Sequence, residues 1–259
     1  MGSVERFTLL MASDEGAIEI DEAALVLASV FRPDLVVEEW SARLDEFAAG
    51  CDADIASVTR RLFGELGFDG NRCVYYDVAN SWLDVVIERR TGIPITLSIV
   101  VMAVARRVGL DVRGVGLPSH FLAWDVESDT YIDAFGGGRL LDRAGVAALF
   151  DSLHGGQQAF SESMLATVGP RLIVRRMLNN LVNIADLTND RALRVEASKL
   201  RSILPDATTA DRLDLAGALL SRGEVLRAAD VLDAAAAEAP DHEHDSLARF
   251  ASEVRARLN

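Results

Sequence analysis

Apolar residues recur along this chain at two periods, and the switch between them marks its parts. From Asp21 to Phe31, Val36 to Ala49 and about Asp54 to Leu66 they fall three and four residues apart, the stripe of an amphipathic helix. Asp21 stands where an N-cap belongs, Pro33 ends the first helix, Trp40, Leu44 and Phe47 share one face of the second, and Gly67 stops the third. These patterns predict three helices burying their apolar faces against a core. Residues 1 to 19 show little periodicity and are expected to be loosely held.

The middle of the chain changes character. Gly67 to Asn80 is a loop rich in Gly, Asn, Asp and Tyr, the kind of segment that carries specificity on a rigid scaffold. Ser81 to Thr91 reads as a helix capped by Asn80, with Glu88 and Arg89 or Arg90 paired at its end. After the punctuation of Gly92 to Pro94, Thr96 to Val108 is apolar almost all round, so this helix must be buried, and Gly109 closes it. Asp111 to Leu117, His120 to Val126 and Thr130 to Phe135 are short, rich in β-branched and aromatic residues, and separated by turns. Connections this short allow only antiparallel pairing. Gly136 to Gly138 makes a mobile turn and Asp142 begins another helix, to about Ser152.

From Arg171 onward only helical patterns appear. Leu204-Pro205-Asp206 and Ala239-Pro240-Asp241 lie 35 residues apart, each after an amphipathic helix, and the stretch ending at Pro240 resembles a tetratricopeptide unit. A final helix is expected over Ser246 to Leu258. Two pairs are fewer than a repeat array needs to stand alone, so the tail is expected to dock on the core. The expected class is α+β: a buried helix and small antiparallel sheet with N-terminal helices (residues 1–165), then an all-α helical-repeat tail (residues 170–259).

Charge narrows the functions. A net charge of −14 speaks against nucleic acid, whose phosphates require a basic footprint. No run reaches the roughly 18 to 20 uncharged apolar residues of a membrane span, and the N-terminus lacks the pattern of a signal peptide, so cytoplasmic residence is expected. Only Lys199 among the 26 basic residues is a lysine. Cys51 and Cys73 show neither metal spacing nor a disulfide context, and no cofactor or metal is expected. His154, His242 and His244 fall in polar stretches and are expected to face solvent; His242-x-His244 among acidic neighbours reads as an exposed helix start before it reads as a metal site.

Two polar residues stand out in the sheet. The four-residue loop Val126 to Asp129 is even, so His120 and Asp133 fall on one face, shared with Leu122, Trp124, Tyr131 and Phe135. A carboxylate beside an imidazole fixes its tautomer, as nucleophilic enzymes require, yet a buried histidine needs a partner in any case. The pair is expected near the start of the buried helix, in a partly open site.

Four ordered motifs, Phe68 to Asn80 (FDGNRCVYYDVAN), Glu88 to Leu97 (ERRTGIPITL), Pro118 to Phe121 (PSHF) and Ile132 to Gly137 (IDAFGG), resemble those of the SirB-type transglutaminase-like family of bacterial proteins. The resemblance covers roughly residues 20–150. It implies a papain-like core in which a nucleophile opens the buried helix, a His lies on one strand and an Asp on the next; His120 and Asp133 match those two positions. The cysteine nucleophile does not match, because Ile93-Pro94-Ile95-Thr96-Leu97-Ser98 contains none. Thr96 and Ser98 offer hydroxyls, Thr96 having an alternative role as a helix cap, and Cys73 is the only cysteine within a motif. Tyr75, Tyr76, Asn80, Glu88, Arg90, Pro94, Ser98 and Phe121 are the expected binding residues. Two functions follow: a non-catalytic module that binds a peptide or protein, as the occurrence of such domains in F-box proteins also suggests, or an acyl-transfer enzyme, hydrolase or transferase, working through His120 and Asp133. The oligomeric state is left open.

Overall fold

The computed structural model describes residues 1–256, apart from the side chains of residues 241–243. The chain divides into two compact units, residues 1–174 and 175–259. The division falls inside a helix that begins at Pro170.

In the first unit the three amphipathic helices form as α2 (Ile20–Phe31), α3 (Val37–Ala48) and α4 (Ile55–Thr59), the last widening into a π segment over Arg60–Glu65. Asp54 caps α4, its carboxylate accepting from Ser57 N–H at 2.7 Å. Two expectations fail here. Residues 3–12 are not loose but form a helix, α1 (Ser3–Ala12), because Phe7 and Met11, one turn apart, are both buried. Asp21 is not a cap: it lies in the first turn of α2, buried, and takes Arg107 at 2.8 Å and Arg106 at 3.3 Å.

The core helix is α6 (Pro94–Arg107), with Pro94 through Ala105 all buried. It begins at Pro94, two residues before Thr96, since a proline needs no partner for its missing N–H in the first turn. Before it, α5 (Leu83–Arg89) replaces the longer helix expected from Ser81. Two very short strands, β1 (Asp69–Gly70) and β2 (Thr91–Gly92), pair in parallel just ahead of α6.

Against α6 lies a five-stranded antiparallel sheet, β6-β5-β4-β3-β7. Its central strands are β3 (Val112–Val115), β4 (Leu122–Asp125) and β5 (Thr130–Asp133), each shorter than its sequence pattern, with β6 (Arg139–Leu141) and β7 (Thr167–Val168) at the edges. Pairing of Asp125 with Thr130 and Ala123 with Ile132 is the register that an even loop requires. One face carries Leu122 and Tyr131 into a cluster with Val146 of α7 (Arg143–His154), and the other, through Phe121, faces Ile173. His154 is half-buried rather than free in solvent: it stacks on Phe150 at 4.1 Å, and Nδ1 lies 2.9 Å from the Phe150 carbonyl.

The described residues of the second unit comprise the end of α8 (Pro170–Thr188) and helices α9 (Arg191–Ser202), α10 (Thr209–Ser221), α11 (Val225–Glu238) and α12 (Asp241–Ala256), with α9 packed on α10, α10 on α11 and α11 on α12. Their core is Leu215, Leu219 and Leu232 with many alanines. His242 and its acidic neighbours Asp241 and Glu243 lie outside the described side chains. Among the described residues no helix is long and apolar enough to cross a membrane, and no cluster of His, Cys, Asp or Glu is arranged to hold a metal.

Candidate functional site

His120 follows a tight turn. Its N–H donates to the Leu117 carbonyl at 3.2 Å, and Ser119 takes a left-handed φ of 59°, which brings the imidazole onto the sheet just ahead of β4. Asp133 ends β5 one residue beyond the Ala123–Ile132 pair of the β4 register, and its side chain lies beside that of His120. His120 Nε2 lies 3.0 Å from Asp133 Oδ1.

The carboxylate is held from three sides. Oδ1 also accepts from Gly136 N–H at 2.9 Å, and Oδ2 accepts from Arg139 Nη2 at 2.5 Å, Arg139 being its cross-strand partner on β6. Burial pushes this carboxyl up, but the hydrogen bonds from His120 and Arg139, the charge of His120 and the Gly136 amide outweigh it and bring it down to about 2. Asp133 is therefore ionised near neutrality, so Nε2 carries the proton, and in a neutral imidazole Nδ1 carries the lone pair. This is the polarity a general base requires.

The pair is nevertheless closed over: His120 is 6% exposed and Asp133 1%. The expectation of a partly open site fails because Phe135 lies edge-on to His120 at 6.2 Å, backed by Tyr75 at 6.0 Å, with the Arg72 guanidinium 5.1 Å over the Phe135 ring. Arg72 also donates to the Phe135 carbonyl at 2.6 Å. A Cβ at Gly70 would meet the Phe135 ring at 2.6 Å, so glycine is required for β1 to lie against it. Through β1 and β2 this aromatic cap connects to the start of α6.

Asn80 does not cap a helix. Buried, it accepts from Asn71 Nδ2 at 3.0 Å and donates to the Val74 and Tyr75 carbonyls at 2.9 and 3.1 Å, pinning the loop from Asn71 to Asp77. That loop presents Val74 and Tyr76, each 58% exposed, together with Tyr75 and Cys73.

The two hydroxyls of α6 are engaged with backbone. Thr96 Oγ1 donates to the Asn80 carbonyl at 2.9 Å, with the Ile93 carbonyl at 3.2 Å, and accepts from Ile93 N–H at 3.2 Å, half of a capping box because Ile93 has no acceptor of its own. Ser98 Oγ donates to the Phe121 carbonyl at 3.4 Å, tying α6 to the residue after His120. Pro94 is buried in the first turn of α6, and the Phe121 ring packs towards Gly114 and Ile173, so neither joins the aromatic cap.

The expected pairing of Glu88 with Arg89 or Arg90 is absent. Arg89 reaches Asp77 at 3.2 Å, while Arg90, in a left-handed conformation, donates to the Leu66 carbonyl at 2.8 Å. Glu88 instead lines a separate cleft with Trp40 and Arg43. Sequence reasoning missed Arg139. The glycine run ahead of it carries no sign of a resuming strand, yet in the structure it closes a hairpin that sets Arg139 opposite Asp133.

A buried helix laid on an antiparallel sheet that carries a histidine-aspartate pair is a transglutaminase-like arrangement, and the chain belongs to the transglutaminase-like superfamily, whose pattern matches residues 28–179. Among its relatives, a UPF0162 protein of Xylella fastidiosa is 31% identical over 220 residues, covering 78% of each chain. F-box only protein 21 of Mus musculus is 34% identical over 133 residues, 48% of this chain and 20% of that protein, and a UPF0162 protein of Vibrio cholerae is 29% identical over 49% of this chain and 52% of its own length. No solved structure matches.

Proposed function

We propose that this chain is a non-catalytic transglutaminase-like module of SirB type that binds a peptide or protein in the cytoplasm, across the rim formed by residues 71–77 and Phe135. The observation that carries the reading is the engagement of both α6 hydroxyls with backbone. A nucleophile must offer its oxygen to the imidazole, and Thr96 and Ser98 use theirs in holding the helix start and the strand beside His120. His120 and Asp133 then serve as an internal tie, with Arg139 completing it. Kinship with an F-box only protein supports a recognition role. We read α8–α9 and α10–α11 as two tetratricopeptide-like pairs, supported by the 35-residue spacing of Pro205 and Pro240, and assign residues 1–165 to the core and 170–259 to this tail.

The test uses fluorophosphonate and iodoacetamide probes on the full chain and on His120→Ala. Serine- and threonine-directed labelling is expected to be absent, and thiol labelling at the exposed Cys73 is expected to be the same in both proteins. Loss of any labelling with His120→Ala would restore the enzyme reading with Thr96, Ser98 or Cys73 as nucleophile. Peptides selected on the full chain are expected to bind about tenfold more weakly to Tyr76→Ala, as befits an exposed aromatic anchor.

A further inference from the structure

Away from the histidine, the last residue of β4 carries a carboxylate of which one oxygen has no donor among the described residues. Asp125 closes β4 and is 3% exposed. Its Oδ2 accepts from the Ser128 hydroxyl at 2.5 Å and the Ser128 N–H at 3.3 Å. No described residue donates to Oδ1, which is buried. A buried carboxylate oxygen without a donor is costly, so native proteins provide one or bind one.

Asp125 lines a cleft of about 360 Å³ with apolar walls from Ile55, Ala56 and Leu110 and two further carboxylates, Asp54 and Glu127. Asp54 is half occupied by capping α4, and Glu127 makes no ion pair among the described residues. We propose that this cleft binds a primary ammonium group on an aliphatic stem, with Asp125 Oδ1 as the buried acceptor, Glu127 as the outer counter-charge and Ile55, Ala56 and Leu110 covering the methylenes.

Chemistry selects among cations. A guanidinium fork seeks both oxygens of one carboxylate, and Ser128 already holds Oδ2 of Asp125, leaving a single oxygen suited to a compact donor. A divalent metal requires several hard oxygens converging at short range, and no such group exists among the described residues. The methylene-sized apolar wall fits a stem that a bare metal lacks. The amine must come largely from other molecules, because Lys199 is the only lysine of the chain. This site is independent of the rim proposed above and stands or falls separately.

The experiment titrates the uniformly labelled full chain with n-butylamine and with Nα-acetyl-lysine methylamide, using n-butanol and Nα-acetyl-arginine methylamide as controls, and follows the backbone amides of Ala56 and Ser128. Both ammonium probes are expected to give saturable shifts, with the arginine derivative at least about fivefold weaker and butanol inert. Tighter binding of the lysine derivative than of butylamine assigns the site to a lysine side chain of a partner; equal binding assigns it to small amines. Asp125→Asn and Glu127→Gln are each expected to weaken binding about tenfold. If Asp125→Asn loses its dispersed spectrum, the exposed Glu127→Gln decides. The absence of saturable shifts with either amine, equal binding of the arginine derivative, or undiminished binding in the folded variants would overturn the proposal.

Discussion

Asp133 takes His120 and the Gly136 amide on one oxygen and Arg139 on the other, which is why its carboxyl titrates at about 2 despite burial. A folded-state value below the ordinary 3.8 means that its contribution is complete above about pH 4 and is lost as pH falls towards 2, a loss on the order of 2 kcal/mol. Urea unfolding at pH 5, 4 and 3 is expected to show this decline, and Asp133→Asn to remove that part of the slope. Gly136→Ala is expected to cost about 1–3 kcal/mol, since its Cβ would press into the Asp133 carboxylate and the Arg139 guanidinium. The histidine-aspartate pair was legible in the sequence because strand parity depends only on loop length. Arg139 was not, because a glycine run gives no sign of whether a strand resumes beyond it.

Helix α6 was legible as buried, since a surface apolar on all sides has no other place to go. Its start was not: the sequence offers Thr96 as a cap, whereas the helix begins at Pro94 and the Thr96 hydroxyl reaches back to Ile93 N–H and across to Asn80. Thr96→Val preserves shape and removes these bonds, leaving buried backbone groups unpaired. A loss of about 1–3 kcal/mol is expected in denaturant unfolding. Asn80→Ala is expected to free the loop it pins, read as faster hydrogen exchange at Asn71 and Val74 with little change in α6. Helix α1 escaped sequence reading for a different reason. Phe7 and Met11 supply just one turn of its stripe, and the exposed Leu9 between them blurs the period.

At the scale of the molecule, the second unit combines an alanine-rich core with a dense arginine-aspartate network. Asp214 accepts from Arg194 at 2.5 and 2.9 Å and from Arg201, while Asp211 takes Arg175 and Arg201 at 3.0 Å. Burial raises both carboxyls, and the Thr208 amide and Arg175 at Asp211, and Arg194 at Asp214, bring them below their ordinary range. The stability they confer is thus present near neutrality and falls away in acid. Asp214→Ala, which takes the shared carboxylate from two partly buried guanidinium groups and leaves Arg201 only the Asp211 carboxylate and Arg194 only that of Asp186, is expected to cost about 1–2 kcal/mol, monitored by hydrogen exchange in α9 and α10. The helical character of residues 175–256 was legible from apolar periodicity and the two Pro-Asp stops, but the network was not, since one sequence does not reveal which of its many arginines meets which aspartate.

The placement of the two thiols has a practical consequence. Cys51 is half-buried against the Phe47 carbonyl and its thiol is pushed up by burial, while Cys73 stands exposed on the pinned loop beside Tyr75 and Tyr76. Thiolate, not thiol, reacts with alkylating dyes, so near neutral pH a maleimide fluorophore should attach at one place without any engineered residue. The unaltered chain then carries its own optical sensor: a ligand settling on the aromatic rim would change the dye's surroundings, and one in the distant ammonium cleft would leave its emission unchanged.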